Sequence, residues 1–264
     1  MRTLTTIEEF REHERLQREV WGSDDIDVPV GLMAAGARHG AVLLGAYVQG
    51  EMVGILYGFP AITHGKLHHH SHMLGVLPEY RRAGIGLALK YRQREMVREQ
   101  DLNLITWTVD PLEATNNLFN FGRLGITCST YIEDAYGEME DALNQGLPSD
   151  RFEVHWWVGE PEEAPLPRAR NDVPPDAQLV SKTLWEPSTY PLPDIAGDLS
   201  GRRLKVEVPL NFRQIKEDDF DIAMTWRLHL RQVFQKAFSQ GYTLVGCVEC
   251  SYQMVCYVLE KDGA

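Results

Sequence analysis

The span from Leu67 to Gln100 constrains the fold more than any other part of the chain. An extended apolar run, Leu67 to Val76, halts at Pro78, which has no amide hydrogen to give a sheet. The spacing of Ile85, Leu89, Met96 and Val97 then predicts an amphipathic helix to about Gln100, with its lysine and arginines on the outer side. A strand that feeds a helix through "VLPEYRRAGIG" gathers unbonded main-chain amides at one point, where the helix dipole also favours negative charge. The segment therefore reads as an anion cradle. Gly84 and Gly86 let a ligand approach the backbone, and Arg81 and Arg82 add charge-assisted bonds.

The flanking sequence reads as alternating strands and helices, hence an α/β class. Thr6 with Glu9 forms a capping box, and Ile7, Phe10, Val20 and Trp21 fall near one helical face. Residues 41–60 read as two strands around a Gln49-Gly50 turn, and 102–109 as a buried strand ending at Asp110-Pro111. A helix is expected from about Glu113 to Leu124, stopped by Gly125, with strands near Ile126 to Ile132 and Phe152 to Val158.

Between Gly159 and Gly201 lie eight of the fourteen prolines, without a helical or strand period. That composition predicts a linker or surface strap. The expected organisation is a domain over 1–158, a strap over 159–201, and an extension over 202–264 built of a strand, a helix from Glu217 to Gln240 and a strand pair. The extension repeats the order of elements after Leu102, either as half of a duplicated fold or as a helix and hairpin that lengthen the first sheet.

Charge narrows the ligand. With 26 basic against 38 acidic residues the formal net charge is −12, so no broad basic face exists for a nucleic-acid backbone and any anion is held locally. The charged stretch "TTIEEFREHERLQREV" and the lack of a long apolar run predict neither a signal peptide nor a membrane span, with a cytoplasmic location as the expectation. Cys128, Cys247, Cys250 and Cys256 are too sparse for a disulfide framework. Cys247-x-x-Cys250 without a second pair or a histidine is a weak zinc or redox signal, and packing roles are expected for all four.

Elimination narrows the cradle further. Gly86 is followed by Leu87-Ala88-Leu89, so the Lys-Ser/Thr of a P-loop is missing, and Leu89 stands where a dinucleotide fingerprint needs its third glycine. What remains is Arg-x-x-Gly-x-Gly at Arg81, Gly84 and Gly86 after Val76, Pro78 and Tyr80. This closely resembles the acyl-CoA motif of the GNAT superfamily of N-acyltransferases. The stretch Asp110 to Ile126 is similar to that family's second motif and, together with Tyr136 to Val158 and the long tail, the pattern resembles a subgroup associated with N-acylamino acid racemase pathways. The resemblance implies a mixed, mostly antiparallel central sheet flanked by helices, with a C-terminal strand-helix-hairpin extension. It also implies acyl-CoA as co-substrate, with acetyl-CoA and succinyl-CoA both open, and no metal.

On that resemblance Arg81, Arg82, Ala83, Gly84, Ile85, Gly86 and Leu87 wrap the CoA pyrophosphate, while Leu74 and Val76 contact pantetheine from the preceding strand. Asn116, Asn117 and Asn120, within about one helical turn, offer side-chain amides to pantetheine. Phe121 occupies the place of the family's frequent tyrosine acid; Tyr131 and Tyr136 are possible substitutes. The acceptor is expected to be the primary amine of a small molecule, an amino acid, and its carboxylate needs a cation such as Arg123 or Arg151.

An amine must be neutral to attack, which costs roughly 1 to 5 kcal/mol near pH 7 without a base. His68, His70 and His72 share one strand face, and His72, then His70, are the candidate catalytic bases. Zinc chelation by the alternating histidines and deprotonation through water are the alternatives. Self-association as a homodimer is the expected oligomer; nucleic acid and membrane are not expected partners. The competing function is a GNAT-like acyl-CoA sensor that binds without transfer.

Overall fold

A computed structural model describes residues 1–22, 28–137, 146–160, 164–165, 167–184, 190–195, 198–251 and 253–262. They form two compact units, residues 1–107 with 157–163, and residues 108–156 with 164–264. The sequence expectation divides the chain at 158 and 201, where proline density changes; the units part instead inside a strand, and residues 164–264 gather with 108–156.

The first unit contains β1 (Arg2–Thr3), α1 (Ile7–Trp21), α2 (Val30–Ala37), β2 (Val42–Val48), β3 (Glu51–Thr63), β4 (Lys66–Val76), α3 (Ile85–Glu99) and the start of β5 (Leu104–Val109). Its sheet runs β1-β2-β3-β4-β5, antiparallel except for the parallel pair β4–β5. The expected capping box is present, Glu9 N donating to Thr6 Oγ1 at 3.3 Å and Thr6 N to Glu9 Oε2 at 3.0 Å. The buried face of α1 is rotated from the expected one: Phe10, His13, Leu16 and Gln17 are buried, while Ile7 and Trp21 are exposed. Gln17 makes this possible by bonding His13 Nδ1 and both main-chain groups of Val28. The β2–β3 turn has φ +52° at Gln49 and +90° at Gly50, the paired positive angles of a tight hairpin. Helix α2 is absent from the sequence reading, because "VGLMAAGA" carries two glycines and no polar face.

The second unit contains α4 (Ala114–Phe119), a wider π turn over Asn120–Leu124, β6 (Thr127–Ile132), β7 (Arg151–Trp157), β8 (Gln178–Leu184), β9 (Leu192–Ile195), β10 (Arg203–Pro209), α5 (Phe212–Asp218), α6 (Phe220–Ser239), β11 (Tyr242–Ser251) and β12 (Met254–Lys261). Its strands run β7-β6-β11-β12-β10-β8-β9, with β8–β10 the parallel pair. Thus β8 and β9 lie in the span expected as a strap; both are short and interrupted or flanked by proline, which hides their alternation. The single expected helix from Glu217 is two, because Asp219 turns extended and caps α6 through Ile222 N at 3.1 Å. Hairpin β11–β12 joins β6 at Leu244 and Cys128, so the extension lengthens the sheet of this unit.

Paired charges hold the second unit internally. Arg227, 1% exposed, grips Asp110 with both terminal nitrogens at 2.9 and 2.6 Å, and Arg231 grips Asp150 at 2.8 and 2.7 Å. Such bidentate pairs satisfy charges that burial would otherwise leave uncompensated. Among the described residues no helix is long and apolar enough to cross a membrane.

Replacing Arg227 by alanine removes the bidentate partner of Asp110, leaving its carboxylate the longer 3.4 Å contact to Arg151 and the Leu112 amide, and is expected to cost about 3–5 kcal/mol in urea unfolding. Removing the exposed Arg213 from Glu113 is expected to cost below about 1 kcal/mol. In the first unit burial lowers His13 to about 4 and His69 to about 3. Below the ordinary histidine value near 6.5 the unfolded chain therefore binds protons that the fold refuses, and stability falls as pH drops, by about 1.4 kcal/mol per pH unit for each histidine. A His13→Gln variant should show a shallower loss of unfolding free energy between pH 6.5 and 4.5.

Candidate functional site

The cradle is a real turn of the chain. After β4 a single 3-10 turn over Pro78–Tyr80 leads to Arg81, whose Nε donates back to the Val76 carbonyl at 3.0 Å and pins the strand end. The backbone then bends left-handed at Arg82 (φ +64°) and again at Gly84 (φ +80°), which caps α3. Alternating hands aim successive amides to one side. The first helical amide to find a carbonyl is that of Ala88, on Gly84 at 3.0 Å. Arg81 to Gly84 are exposed, and Ile85, Gly86 and Leu87 half-buried. A Cβ added at Gly84 would meet nothing within 4 Å, and at Gly86 only Leu74 Cδ2 at 3.6 Å. The space above both glycines is open.

Strand β4 carries the remaining candidates of this unit. Its parallel pairing with β5 holds at His69–Ile105 and His70–Thr106 and, among the described residues, stops there. Opposite, β3 pairs Tyr57 with Met73 but Gly58 with Ser71, so His72 is the extra residue of a β-bulge. His72 is exposed, its ring 6.1 Å from those of Tyr57 and Phe59 and 6.3 Å from that of His70. The structure thus brings both candidate bases together, against an aromatic wall that the sequence reading does not single out. His70 is half-buried, shares a 3.2 Å hydrogen bond between Nδ1 and Thr106 Oγ1, and is lowered to about 4 by burial and then by His72. It is neutral at pH 7 and a weak base. His68 bonds the Lys66 carbonyl at 3.2 Å.

A buried polar chain lies on the opposite face of β4. Lys90 Nζ donates to Ser71 Oγ at 2.8 Å and sits 3.7 Å from the Trp107 ring centroid; Ser71 donates to Gln93 Oε1 at 3.1 Å; Gln93 Nε2 contacts His69 Nε2 at 3.1 Å. Lys90 is 3% exposed and lowered to about 7 by burial. The sequence reading places the basic residues of this helix outside; Lys90 departs from it because Ser71 and the Trp107 face supply the partners that burial demands. The signal was its helical register with Leu89, Gln93 and Val97, all buried. Among the described residues no group of three or more His, Cys, Asp or Glu side chains is arranged to hold a metal.

The other candidates lie in the second unit. Asn117 is buried and its Nδ2 donates to the Asp110 carbonyl at 2.7 Å and to Tyr257 Oη at 2.8 Å, leaving a buried Oδ1 with no partner. Asn120 is buried and bonds the Asn116 carbonyl at 3.0 Å, while Asn116 is exposed. Phe121 is fully buried with its ring 6.3 Å from that of Tyr257. Tyr131 donates to Asp150 at 2.8 Å, and burial raises it far above a usable acid. Tyr136 is exposed and bonds Thr108 Oγ1 at 2.7 Å. Arg151 is buried against Asp110 at 3.4 Å and the Asp150 carbonyl at 2.9 Å; Arg123 is exposed.

Comparison with known proteins adds to this geometry. Residues 6–122 match the profile of the acetyltransferase (GNAT) family. No curated protein matches the chain significantly. Among solved structures the chain is similar to a putative GNAT acetyltransferase from Desulfovibrio desulfuricans, at 18% identity over 60% of this chain and 97% of that one, TM-score 0.47. It is likewise similar to a GNAT acetyltransferase from Streptococcus pneumoniae, at 15% identity over 58% and 96%, TM-score 0.47. The ribosomal-protein-S18-alanine N-acetyltransferase of Escherichia coli matches at 13% identity over 62% and 96%, TM-score 0.47. Residues 6–122 are thus similar to the acetyltransferase (GNAT) family, a likeness that supports an acyltransferase.

Proposed function

We propose that this protein moves an acyl group from acyl-CoA to the primary amine of a small molecule, an amino acid. The turn from Arg81 to Leu87 holds the CoA pyrophosphate, and the thioester arm lies along the edge of β4 that β5 leaves open. Leu74 and Val76 contact the arm, and acetyl-CoA and succinyl-CoA are the candidate donors. The observation that carries this reading is the open, left-handed turn that caps α3, because it offers unbonded amides and dipole to a diphosphate without requiring a metal or a lysine.

His72 is the proposed base. Its position in the bulge supports this reading, since the extra residue of a bulge is turned out of the ladder and this one is exposed beside aromatic rings. The amine nitrogen attacks the thioester carbonyl, His72 takes the proton that the nitrogen sheds, and the CoA thiolate leaves. A thiol pKa near 8.5 makes that thiolate a tolerable leaving group even without a tyrosine acid. His70, held neutral beside Thr106, acts as the second member of the pair.

A thiol-release screen that crosses acetyl-CoA and succinyl-CoA with L- and D-amino acids tests the reading. Release with at least one pair supports it; tight CoA binding with no release from any pair replaces it with a sensor that binds without transfer. Gly86→Ala should leave thermal stability intact, since the new methyl makes only an ordinary contact with Leu74, and weaken CoA at least about tenfold in calorimetric titration. Unchanged affinity would remove the pyrophosphate from this turn. His72→Ala should lower kcat by about 10²–10⁴ and abolish the acidic limb of its pH profile, whereas a rate within about twofold of the parent would exclude His72 as base.

A further inference from the structure

Strands β3 and β4 carry a row of four rings on one face. His72 stands opposite the gap between Tyr57 and Phe59, 6.1 Å from each ring, and Phe59 pairs across the ladder with His70 at 5.4 Å. Tyr57 and Phe59 are 5.9 Å apart, His70 and His72 6.3 Å. These separations lie in the range of favourable ring contacts. None reaches the roughly 7 Å that a third ring needs to enter between two others, at about 3.5 Å for each contact. A ligand therefore meets the outer side of the row. Tyr57 is 3% exposed, and its ring, at 90° to that of His72, belongs to the apolar core with Phe10 and Met33. Phe59 packs against that core but is only half-buried, His70 likewise, and His72 is exposed. An aromatic surface thus runs outward from the core and ends at the candidate base.

The two strands supply this surface with almost no charge. From Met52 to Val76 the hairpin contains no aspartate or glutamate, and its one lysine, Lys66, stands at the turn. His70, its Nδ1 held 3.2 Å from Thr106 Oγ1, is neutral at pH 7. An apolar substituent laid on Phe59 displaces water without covering a charge, whereas a second ammonium finds no carboxylate on these strands. Reach favours the same contact. An amine that gives its proton to His72 lies within about 3 Å of that ring. The substituent on its α-carbon is two bonds further on, which brings it to Phe59, whose ring centre is 6.1 Å from that of His72.

We propose that Phe59, with His70 beside it, is the specificity wall for the acceptor, and that the acceptor is an amino acid with an aromatic or large aliphatic side chain rather than a small or dicationic amine. The inference rests on the reading of His72 as the base. Phe59 touches the acceptor's side chain and acts in binding, while Tyr57 supports it from the core. Because the wall is held by the core and by Thr106 before any ligand arrives, binding costs little ordering of the protein.

The test measures thiol release by the full chain with acetyl-CoA and succinyl-CoA against glycine, both enantiomers of leucine and phenylalanine, and spermidine. The expected kcat/KM for the better enantiomer of leucine and of phenylalanine is at least about tenfold above that for glycine, the gain typical of burying one apolar substituent, and spermidine falls below glycine. Phe59→Ala should lower the phenylalanine-to-glycine ratio at least about fivefold, through KM rather than kcat, and Phe59→Leu, which keeps an apolar surface, should restore most of the ratio for leucine. A smaller ratio in the parent protein, a preference for spermidine, or a ratio that Phe59→Ala leaves unmoved would overturn the wall while the transfer reading stands. Release with none of these amines would overturn both. Should Phe59→Ala fail to fold, the parent ratios and Phe59→Leu decide.

Discussion

The first unit depends on one extra residue in β4. Side chains of a strand alternate with a period of two, so an inserted residue reverses every face beyond it. Before the bulge, His69 and Ser71 point to α3, where Gln93 and Lys90 receive them. His72 absorbs the extra step. Beyond it, Met73 enters the apolar core with Phe10, Leu16 and Met33, and Leu74 lies under Gly86 of α3. Without the insertion Met73 would face α3 and Leu74 the core of α1 and α2. The bulge thus keeps both cores filled and turns a polar ring outward at the point where β5 has ceased to pair.

The two histidine faces of β4 answer to different constraints. His69 is fully buried and tied to Gln93, and Gly58 is required beside it because a Cβ there would stand 2.4 Å from His69 Nε2. His70 and His72 instead line the aromatic side. Burial lowers the proton affinity of His69 and Lys90 together, so His69 is neutral near pH 7 and Lys90, brought to about 7, is held beneath the strand by Ser71 and the Trp107 ring.

In the second unit, fixed ion pairs stand where side chains with binding chemistry were expected. Arg151 suits an acceptor carboxylate by charge alone, yet Asp110 and the Asp150 carbonyl already occupy its guanidinium. Asn117 has the right amide for a ligand, yet its nitrogen is engaged by Asp110 and Tyr257, 140 residues away in sequence. A residue's type states what it can bind; only its neighbours state what it does bind. For Asn117 the decisive neighbour, Tyr257, comes from β12, which no local pattern near Asp110 announces.

Elements whose cause is local were legible in the chain. The capping box of α1, the Gln49-Gly50 hairpin, the strand end at Val76, the helix from Ile85 and its glycine turn follow from φ preferences, caps and spacing within a few residues. So does the left-handed Gly125 that ends the second-motif helix. Tertiary structure alone decided the bulge at His72, the burial of Lys90, the rotated face of α1, and the strands β8 and β9. Each depends on a partner remote in sequence: β3 for the bulge, Trp107 for the lysine, Val28 for α1, β10 for β8. The sequence determined where the chain turns and which groups it presents; contacts between distant segments determined which of those groups are spent on the fold and which are left to act.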